Sequence, residues 1–168
     1  MSIKVYFDMD GTLFNLYGKD NWLDLLENEI PGAFVGDGMK DGLMPALSLD
    51  SMHNIIYSLM YLGVSFGVIS WLPFAASPLY SETCRNEKLN WLAQNFPMIE
   101  DIAIIPYGIE KQKAITKRAQ TMYLIDDNSE VCKTWETAKQ RKAILVDDDF
   151  SALDALHYIH DAIENGAN

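Results

Sequence analysis

Residues 3–12 read IKVYFDMDGT, an apolar run followed by two aspartates, a glycine and a threonine. Side chains alternate along an extended backbone, so Asp8 and Asp10 can point to the same side, while Gly11 lets the chain turn away sharply. In an open α/β sheet, ligands bind beyond the carboxyl ends of the strands. The stretch therefore predicts a buried strand with a cation-binding pair of carboxylates at its ligand-binding end. The alternative, for these residues alone, is a solvated Asp-x-Asp-Gly turn.

Length and charge limit the class of protein. The chain has 168 residues, of which 49% are hydrophobic and 22% charged, and this balance is typical of one globular domain with room for an insertion. Its formal net charge of −11 repels polyanions, so we expect no nucleic-acid polymer and no anionic membrane as a partner. A small phosphorylated molecule is compatible with this charge if a divalent cation reverses the local field. The sequence leaves the oligomeric state open.

The cysteines and the first residues indicate the compartment. Cys84 and Cys132 are the two cysteines of the chain and have no CxxC partner, which predicts free, packed thiols in a reducing environment. The N-terminus enters a strand directly, and no apolar run reaches the ~18 residues that span a bilayer. We therefore expect a soluble, cytoplasmic protein.

Apolar periodicity divides the chain into alternating strands and helices. Strands are predicted at residues 3–7, 64–69, 102–105, 122–125 and 143–146. Two helices are predicted to begin at an Asp50 cap and at Ser77-Pro78, and three more are predicted over residues 111–119, 129–139 and 152–163. The buried face of the helix that begins at Ser77-Pro78 is assigned to Leu89, Leu92, Ala93 and Phe96. Short, continuously apolar strands between helices are typical of a parallel sheet covered on both faces. The predicted fold class is a three-layer, Rossmann-like α/β fold with five parallel strands.

An irregular segment follows the first strand. Residues 14–48 contain a short helical pattern at residues 22–26 and loop signals from Gly36 to Gly42. Because the segment lies between the first strand and the first long helix, we interpret it as a small insertion into a single domain that spans residues 1–168.

Polar side chains follow the predicted strands at the edge where right-handed crossovers bring all the carboxyl ends together. They are Asp8 and Asp10 after the first strand, Ser70 after the second, Lys111 before the fourth, and Asp126 and Asp127 after the fourth. Two acidic pairs suit Mg²⁺, which prefers oxygen ligands and accepts phosphate oxygens. A carboxylate can attack phosphorus, while a hydroxyl and an ammonium group can hold the other phosphoryl oxygens. The sequence thus predicts a site for phosphoryl transfer.

The lysine of this site has close neighbours. Lys111 shares a helix face with Ala114 and Ile115, three and four residues later, whereas Lys113 points elsewhere. We therefore assign the site to Lys111 and interpret Lys113 and Lys117 as solvated, with Lys113 kept as the alternative.

Residues 8–127 resemble the haloacid dehalogenase-like (HAD) hydrolase superfamily. The resemblance rests on FDMDGT at residues 7–12, VIS at 68–70, Lys111, and LIDDN at 124–128. It implies a Mg²⁺-dependent phosphomonoester hydrolase in which Asp8 is the nucleophile and Asp10 the general acid and base. Asp8, the backbone carbonyl of Asp10, and Asp127 would hold Mg²⁺, Asp126 would contact it through water, and both Asp126 and Asp127 stay candidate ligands. Ser70 and Lys111 would bind the phosphoryl oxygens.

Members of this superfamily often carry a cap over the substrate immediately after the first motif, so the resemblance implies that residues 14–48 are a small cap insertion. Within the superfamily, the DMDGTL-type motif and the short cap look most like the 5′(3′)-deoxyribonucleotidase group. That resemblance implies nucleoside monophosphates as candidate substrates. Aromatic residues that could form a wall against a nucleobase are Phe14, Tyr17, Trp22, Phe34 and Trp71, with core packing as the alternative for each.

Two other classes share parts of this pattern. A catalytically silent HAD-like protein would keep the metal- and phosphate-binding residues without turnover. A receiver-like phospho-acceptor module would carry its aspartate after the middle strand, where this chain has Pro106-Tyr107-Gly108 instead. The position of the aspartates therefore favours the hydrolase.

Overall fold

The structure is a computed structural model that describes residues 2–36, 42–116 and 118–166. Its strands are β1 (Ile3–Phe7), β2 (Val64–Trp71), β3 (Asp101–Ile105), β4 (Thr121–Asp126) and β5 (Arg141–Leu145). Its α-helices are α1 (Trp22–Glu27), α2 (Leu49–Tyr61), α3 (Pro78–Asn95), α4 (Ser129–Trp135) and α5 (Ala152–Glu164), and a single 3₁₀ turn covers Lys111–Ala114.

The five strands form one parallel sheet in the order β3-β2-β1-β4-β5. The predicted parallel, Rossmann-like α/β fold is therefore confirmed. All five residues of the central strand β1 are buried, as its continuous apolar run predicts. The chain winds to one side of β1 through β2 and β3 and to the other through β4 and β5. The carboxyl ends of β1 and β4 thus flank the switch point, where open α/β sheets bind ligands.

Helices cover both faces of the sheet. On one face, Val5 and Phe7 belong to the same apolar cluster as Ile56 of α2, Leu92 of α3 and Leu156 of α5. On the other face, the ring of Tyr6 meets that of Trp135 of α4 edge to face, with 5.8 Å between the centroids. The odd and even residues of β1 thus serve opposite layers, which gives the predicted three-layer arrangement.

Helix α2 begins two residues earlier than predicted. The N-cap is Ser48, whose side chain accepts a hydrogen bond from the backbone N–H of Ser51, and Asp50 lies in the first turn. The assignment of Asp50 as the cap is wrong because the extended backbone at Ser48 already places Leu49 in the helix. The end of the helix is as predicted: Gly63, with φ +85°, follows the C-cap.

The buried face of α3 differs from the predicted one. Leu92 and Phe96 are buried as predicted, although Phe96 is the C-cap rather than a helical residue. Ala93, however, is exposed, and Leu89 is half-buried. The buried residues of the helix are Tyr80, Cys84, Lys88, Trp91, Leu92 and Asn95. Because this face contains a lysine and an asparagine, hydropathy alone shifted the predicted face by about one residue.

Several other boundaries also differ. Of the helix predicted over residues 111–119, the structure shows a 3₁₀ turn at Lys111–Ala114, which ends because Ile115 is extended, and Lys117 lies outside the described residues. Helix α4 ends at Trp135 rather than at residue 139. The hydrogen-bonded ladder of β2 continues through Ser70 and Trp71 to pair with β3, so both residues lie at the end of the strand rather than after it. Of the predicted loop from Gly36 to Gly42, residues 37–41 lie outside the described part of the chain.

Both cysteines, Cys84 and Cys132, are buried free thiols, as predicted. Among the described helices, none has the length and apolar character needed to cross a membrane.

The inserted segment packs against α3. Phe14 is fully buried and its ring contacts those of Phe34 and Trp91. The carboxylate of Glu87 on α3 accepts hydrogen bonds from the backbone N–H groups of Gly32 and Phe34, at 2.6 and 3.1 Å. These contacts bring the segment, and with it α1, beside the carboxyl edge of the sheet.

Candidate active site

A cavity of about 470 Å³ opens at this edge, beside the switch point, and its volume is in the range of small-ligand pockets. Its polar lining includes Asp8, Asp10, Lys111, Asp126 and Asp127. Its aromatic lining consists of Tyr17, Trp22, Phe34, Trp71, Phe74 and Tyr107. The lining of the cavity therefore combines carboxylates and a lysine with aromatic rings.

The pairing of β1 with β4 places the carboxylates. Phe7 is in register with Ile125, and the backbone N–H of Asp8 donates to the carbonyl of Ile125 at 2.8 Å. As a result, one side-chain oxygen from each of Asp8, Asp126 and Asp127 lies within 4.8 Å of the others. Three carboxylate oxygens at this spacing are a donor set that suits a hard divalent cation.

Gly11 allows the loop after β1 to pass close to this group. Its φ of +77° is in the left-handed region that favours glycine. A Cβ atom at this position would clash with the carboxylate of Asp127 and lie 2.7 Å from Cε2 of Tyr17. The glycine therefore serves the packing of the site as well as the turn.

Lys111 lies between two of the carboxylates. Its Nζ is 2.6 Å from Oδ1 of Asp8 and 2.7 Å from Oδ2 of Asp126, and the residue is 2% exposed. Burial opposes its charge, but the attraction of the two carboxylates outweighs burial and raises the pKa of Lys111 above its ordinary value. The side chain of Lys113, by contrast, is 66% exposed and pairs with Glu110. The lysine that faces the site is therefore Lys111.

Burial and repulsion from neighbouring carboxylates raise the pKa values of three carboxyl groups at the site, those of Asp10, Asp126 and Asp127. Burial, followed by the charge of Asp8, raises the pKa of Asp126 to about 6 and that of Asp127 to about 7. Both oxygens of Asp126 are hydrogen-bonded, one to Lys111 and one to the backbone N–H of Asn128 at 2.9 Å. Burial also raises the pKa of Asp10, and Lys88 opposes this shift. Crowded, partly buried carboxylates are the electrostatic condition that a bound cation relieves.

Lys88 of α3 is a member of the site that the sequence analysis missed. Its side chain is fully buried, and its Nζ donates to Oδ2 of Asp10 at 2.5 Å, to Oγ of Ser70 at 2.9 Å and to the carbonyl of Trp71 at 2.7 Å. A signal was present in the sequence. Lys88 continues the helical spacing of Tyr80 and Cys84, so it is a lysine on an otherwise apolar face.

Ser70 and Trp71 lie side by side at the end of β2 but in different environments. Ser70 is fully buried next to Lys88. Trp71 lines the cavity, its indole N–H donates to the carbonyl of Ile109 at 2.7 Å, and its ring centroid lies 5.3 Å from Nζ of Lys111. Backbone and lysine contacts thus hold Trp71 in the cavity wall.

The structure brings six of the seven predicted site residues to the surface of one cavity: Asp8, Asp10, Trp71, Lys111, Asp126 and Asp127. Ser70 is connected to them through Lys88 and Asp10. Of the predicted aromatic wall, Tyr17, Trp22, Phe34 and Trp71 line the cavity, whereas Phe14 is packed in the core. Their roles in catalysis and binding stay predictions.

No family model matches the chain, and no curated protein matches it. Among solved structures, the HAD domain of the effector protein Lem4 from Legionella pneumophila is similar in fold, with 12% sequence identity and a TM-score of 0.49. The match covers 98% of this chain and 95% of that one. The fold class described above rests on the order and register of the strands in this chain.

Proposed function

We propose that the chain is a Mg²⁺-dependent phosphomonoester hydrolase of the HAD type that forms an aspartyl-phosphate on Asp8. The observation that carries the proposal is the convergence of Asp8, Asp10 and Lys111 with the β4 carboxylates in one cavity at the switch point. Each of these residue types has a part in phosphoryl transfer: a nucleophile, a proton donor, a fixed cation and a metal-binding pair.

The geometry supports a two-step reaction. Oδ1 of Asp8 contacts Lys111, which leaves Oδ2 to attack phosphorus as the bond to the leaving oxygen breaks. Oδ2 of Asp10 is held by Lys88, and its Oδ1 is a buried oxygen that has no hydrogen-bond partner within the described residues. In its protonated form Asp10 would pass its proton to the leaving oxygen. Asp10 then accepts a proton from the water that attacks the phosphorus and releases phosphate from Asp8.

Asp8 and Asp127 fit Mg²⁺ as direct ligands, because both line the cavity and their oxygens lie close together. The two hydrogen bonds received by Asp126 support a contact through water for that residue. When bound, Mg²⁺ would neutralise charge on the phosphoryl oxygens.

Removal of the metal tests the proposal directly. We expect the protein to hydrolyse an aryl phosphate such as p-nitrophenyl phosphate with Mg²⁺, and excess chelator to lower the rate by about 10²-fold or more, because the carboxylates then repel the dianion. Ca²⁺ should support the reaction poorly, since its larger coordination shell lets a carboxylate bind through both oxygens and removes the attacking lone pair. The measurement is the initial rate of nitrophenol release at matched ionic strength.

Two results would contradict this expectation. Full activity in excess chelator would exclude the metal-dependent mechanism. Mg²⁺ binding by calorimetry without turnover of any monoester in a broad panel would favour a catalytically silent metal- and phosphate-binding protein.

Nucleoside monophosphates are the substrate class that we propose. On the cavity wall, the ring centroids of Trp71 and Tyr107 are 5.1 Å apart. The rings of Tyr17 and Trp22 form a second pair among the lining residues, with 5.2 Å between their centroids. Flat aromatic faces near a phosphoryl site suit a ligand that joins a phosphate to a base. The resemblance of the first motif to the 5′(3′)-deoxyribonucleotidase group points the same way.

Substitution of Trp71 tests this substrate class. If Trp71 stacks on the base, nucleoside monophosphates should exceed sugar phosphates in kcat/KM by about tenfold or more, since stacking contributes about 1–3 kcal/mol per base. Trp71→Ala should remove that preference and spare the turnover of a small aryl phosphate, whereas Trp71→Phe should keep part of it. Tyr61→Ala is the control, because Tyr61 is 92% exposed on α2. A wild-type preference for sugar phosphates would reject the nucleotide assignment and leave the hydrolase assignment standing.

A further inference from the structure

Lys88 has no direct chemical step in the proposed mechanism, yet, like Asp126, it is a fully buried charged residue at the site. Its side chain has 0% exposure, and the ring of Phe34 covers it, with 4.3 Å between Nζ and the ring centroid. A buried lysine is costly unless its charge is paired and its N–H groups are satisfied. The contacts of Lys88 therefore indicate the role of its charge.

The hydrogen bonds of Lys88 exclude a direct contact with substrate. A lysine ammonium group has three N–H donors and no acceptor. Nζ of Lys88 makes three hydrogen bonds, to Asp10, Ser70 and the carbonyl of Trp71. Every donor is thus used within the protein. Lys111 differs, because it lines the cavity beside Asp8.

The first of these bonds orients Asp10. Lys88 holds Oδ2, and Oδ1 has no partner among the described residues. A carboxylate that is held by one oxygen cannot rotate freely, so Lys88 determines where the unbonded oxygen lies. The lysine reaches across 78 residues of sequence to do so, from α3 to the loop after β1.

The second bond orients Ser70. A serine hydroxyl has one hydrogen to donate and two lone pairs that accept. Because Oγ of Ser70 accepts from Lys88, its own hydrogen must point to a different acceptor. The same ammonium group therefore fixes the orientation of both the Ser70 hydroxyl and the Asp10 carboxylate.

We infer that Lys88 is a positioning residue for the proposed hydrolysis and acts on the proton transfer through Asp10 without touching the substrate. This inference rests on the proposed function. It assigns the two lysines that are buried at the site to different tasks: Lys111 faces the phosphoryl group, and Lys88 holds the group that transfers the proton.

A double-mutant cycle on kinetics tests the inference. Lys88→Met, Asp10→Asn and the double variant are assayed with Mg²⁺ on two monoesters, one with a good leaving group (dinitrophenyl phosphate) and one with a poor one (an alkyl phosphate). Lys88→Met should lower the single-turnover rate of leaving-group release by about 10²-fold for the poor leaving group, with a much smaller loss for the good one and little change in KM, because in that step only the poor leaving group depends on a positioned acid. In the Asp10→Asn background, Lys88→Met should lower this rate by less than about threefold further. The exposed Lys113→Met is the charge-matched control.

The outcomes are distinguishable. An equal rise in KM for both substrates, or effects that multiply in the double variant, would overturn the inference and make Lys88 a phosphate ligand. If Lys88→Met alone does not fold, the double variant, which removes both buried charges, is compared with Asp10→Asn. Equal single-turnover rates support the inference, and a further loss of tenfold or so contradicts it. An inactive wild-type protein would reject the proposed function itself, and the inference with it.

Discussion

Asp8→Asn should lower the turnover of phosphomonoesters by at least about 10³-fold and abolish the phospho-enzyme, because the amide cannot attack phosphorus. Asp8 is the residue at which the structure best supports this loss of turnover. It follows the central strand, its backbone is fixed by a hydrogen bond to β4, and its carboxylate lines the cavity next to Lys111. The measurements are kcat for an aryl phosphate and the mass of acid-quenched protein, in which a trapped phosphoryl group is visible.

Asp10→Asn is the matched comparison, since it removes a charge of the same sign two residues away. This variant should form the phospho-enzyme with a good leaving group, which needs no proton, and then break it down slowly, so the intermediate accumulates. Asp8→Asn should therefore trap no phosphoryl group, whereas Asp10→Asn should trap more of it than the wild-type protein does. If both form the phospho-enzyme equally well, Asp8 is not the nucleophile.

Lys111→Ala should cost both stability and activity. Its removal leaves Asp8 and Asp126 facing each other in a buried site, and breaking a buried ion pair in this way costs about 3–5 kcal/mol of the free energy of unfolding. Because the same ammonium group faces the phosphoryl site, the folded variant should also lose about 10²-fold or more in kcat/KM. Denaturant unfolding in metal-free buffer and initial rates with Mg²⁺ measure the two effects separately.

Lys113→Ala is the control for this variant. Lys113 lies two residues away, is largely exposed and pairs with the half-exposed Glu110, so its removal should change stability by no more than about 0.5 kcal/mol. A larger effect from Lys113 than from Lys111 would move the phosphoryl-binding lysine by two residues and contradict the geometry of the site.

The sequence by itself determined the fold class and the edge at which the site lies. Continuous apolar runs such as residues 3–7 and 122–125 specify buried parallel strands, because only such strands are covered on both faces. Once the strands are parallel, their carboxyl ends share one edge, so the residues after β1 and at the end of β4 must come together. Asp8, Asp10, Asp126 and Asp127 could be predicted from that rule without any side-chain contact being known.

The sequence predicted that Lys111 shares the helix face turned toward the sheet, and the structure buries this lysine, although the argument for its direction holds only in part. The α-helical spacing to Ala114 and Ile115 predicted its direction, yet the segment is a single 3₁₀ turn that ends before Ile115. The residue is buried because its ammonium group is attracted by Asp8 and Asp126, which are distant in sequence. The local periodicity and the long-range ion pairs of Lys111 thus both indicate that its side chain points toward the interior.

Only the tertiary structure decided the environment of Lys88. Hydropathy assigns a lysine to the solvent face of a helix, and this shifted the predicted buried face of α3 toward Ala93. What compensates the burial of Lys88 is a carboxylate, a hydroxyl and a carbonyl from other strands and loops, together with the Phe34 ring. The free energy of burying a charge depends on such partners rather than on its neighbours in sequence. A one-dimensional pattern therefore predicts which segments are apolar, whereas the choice of which polar residue is buried is made by the contacts that the fold brings together.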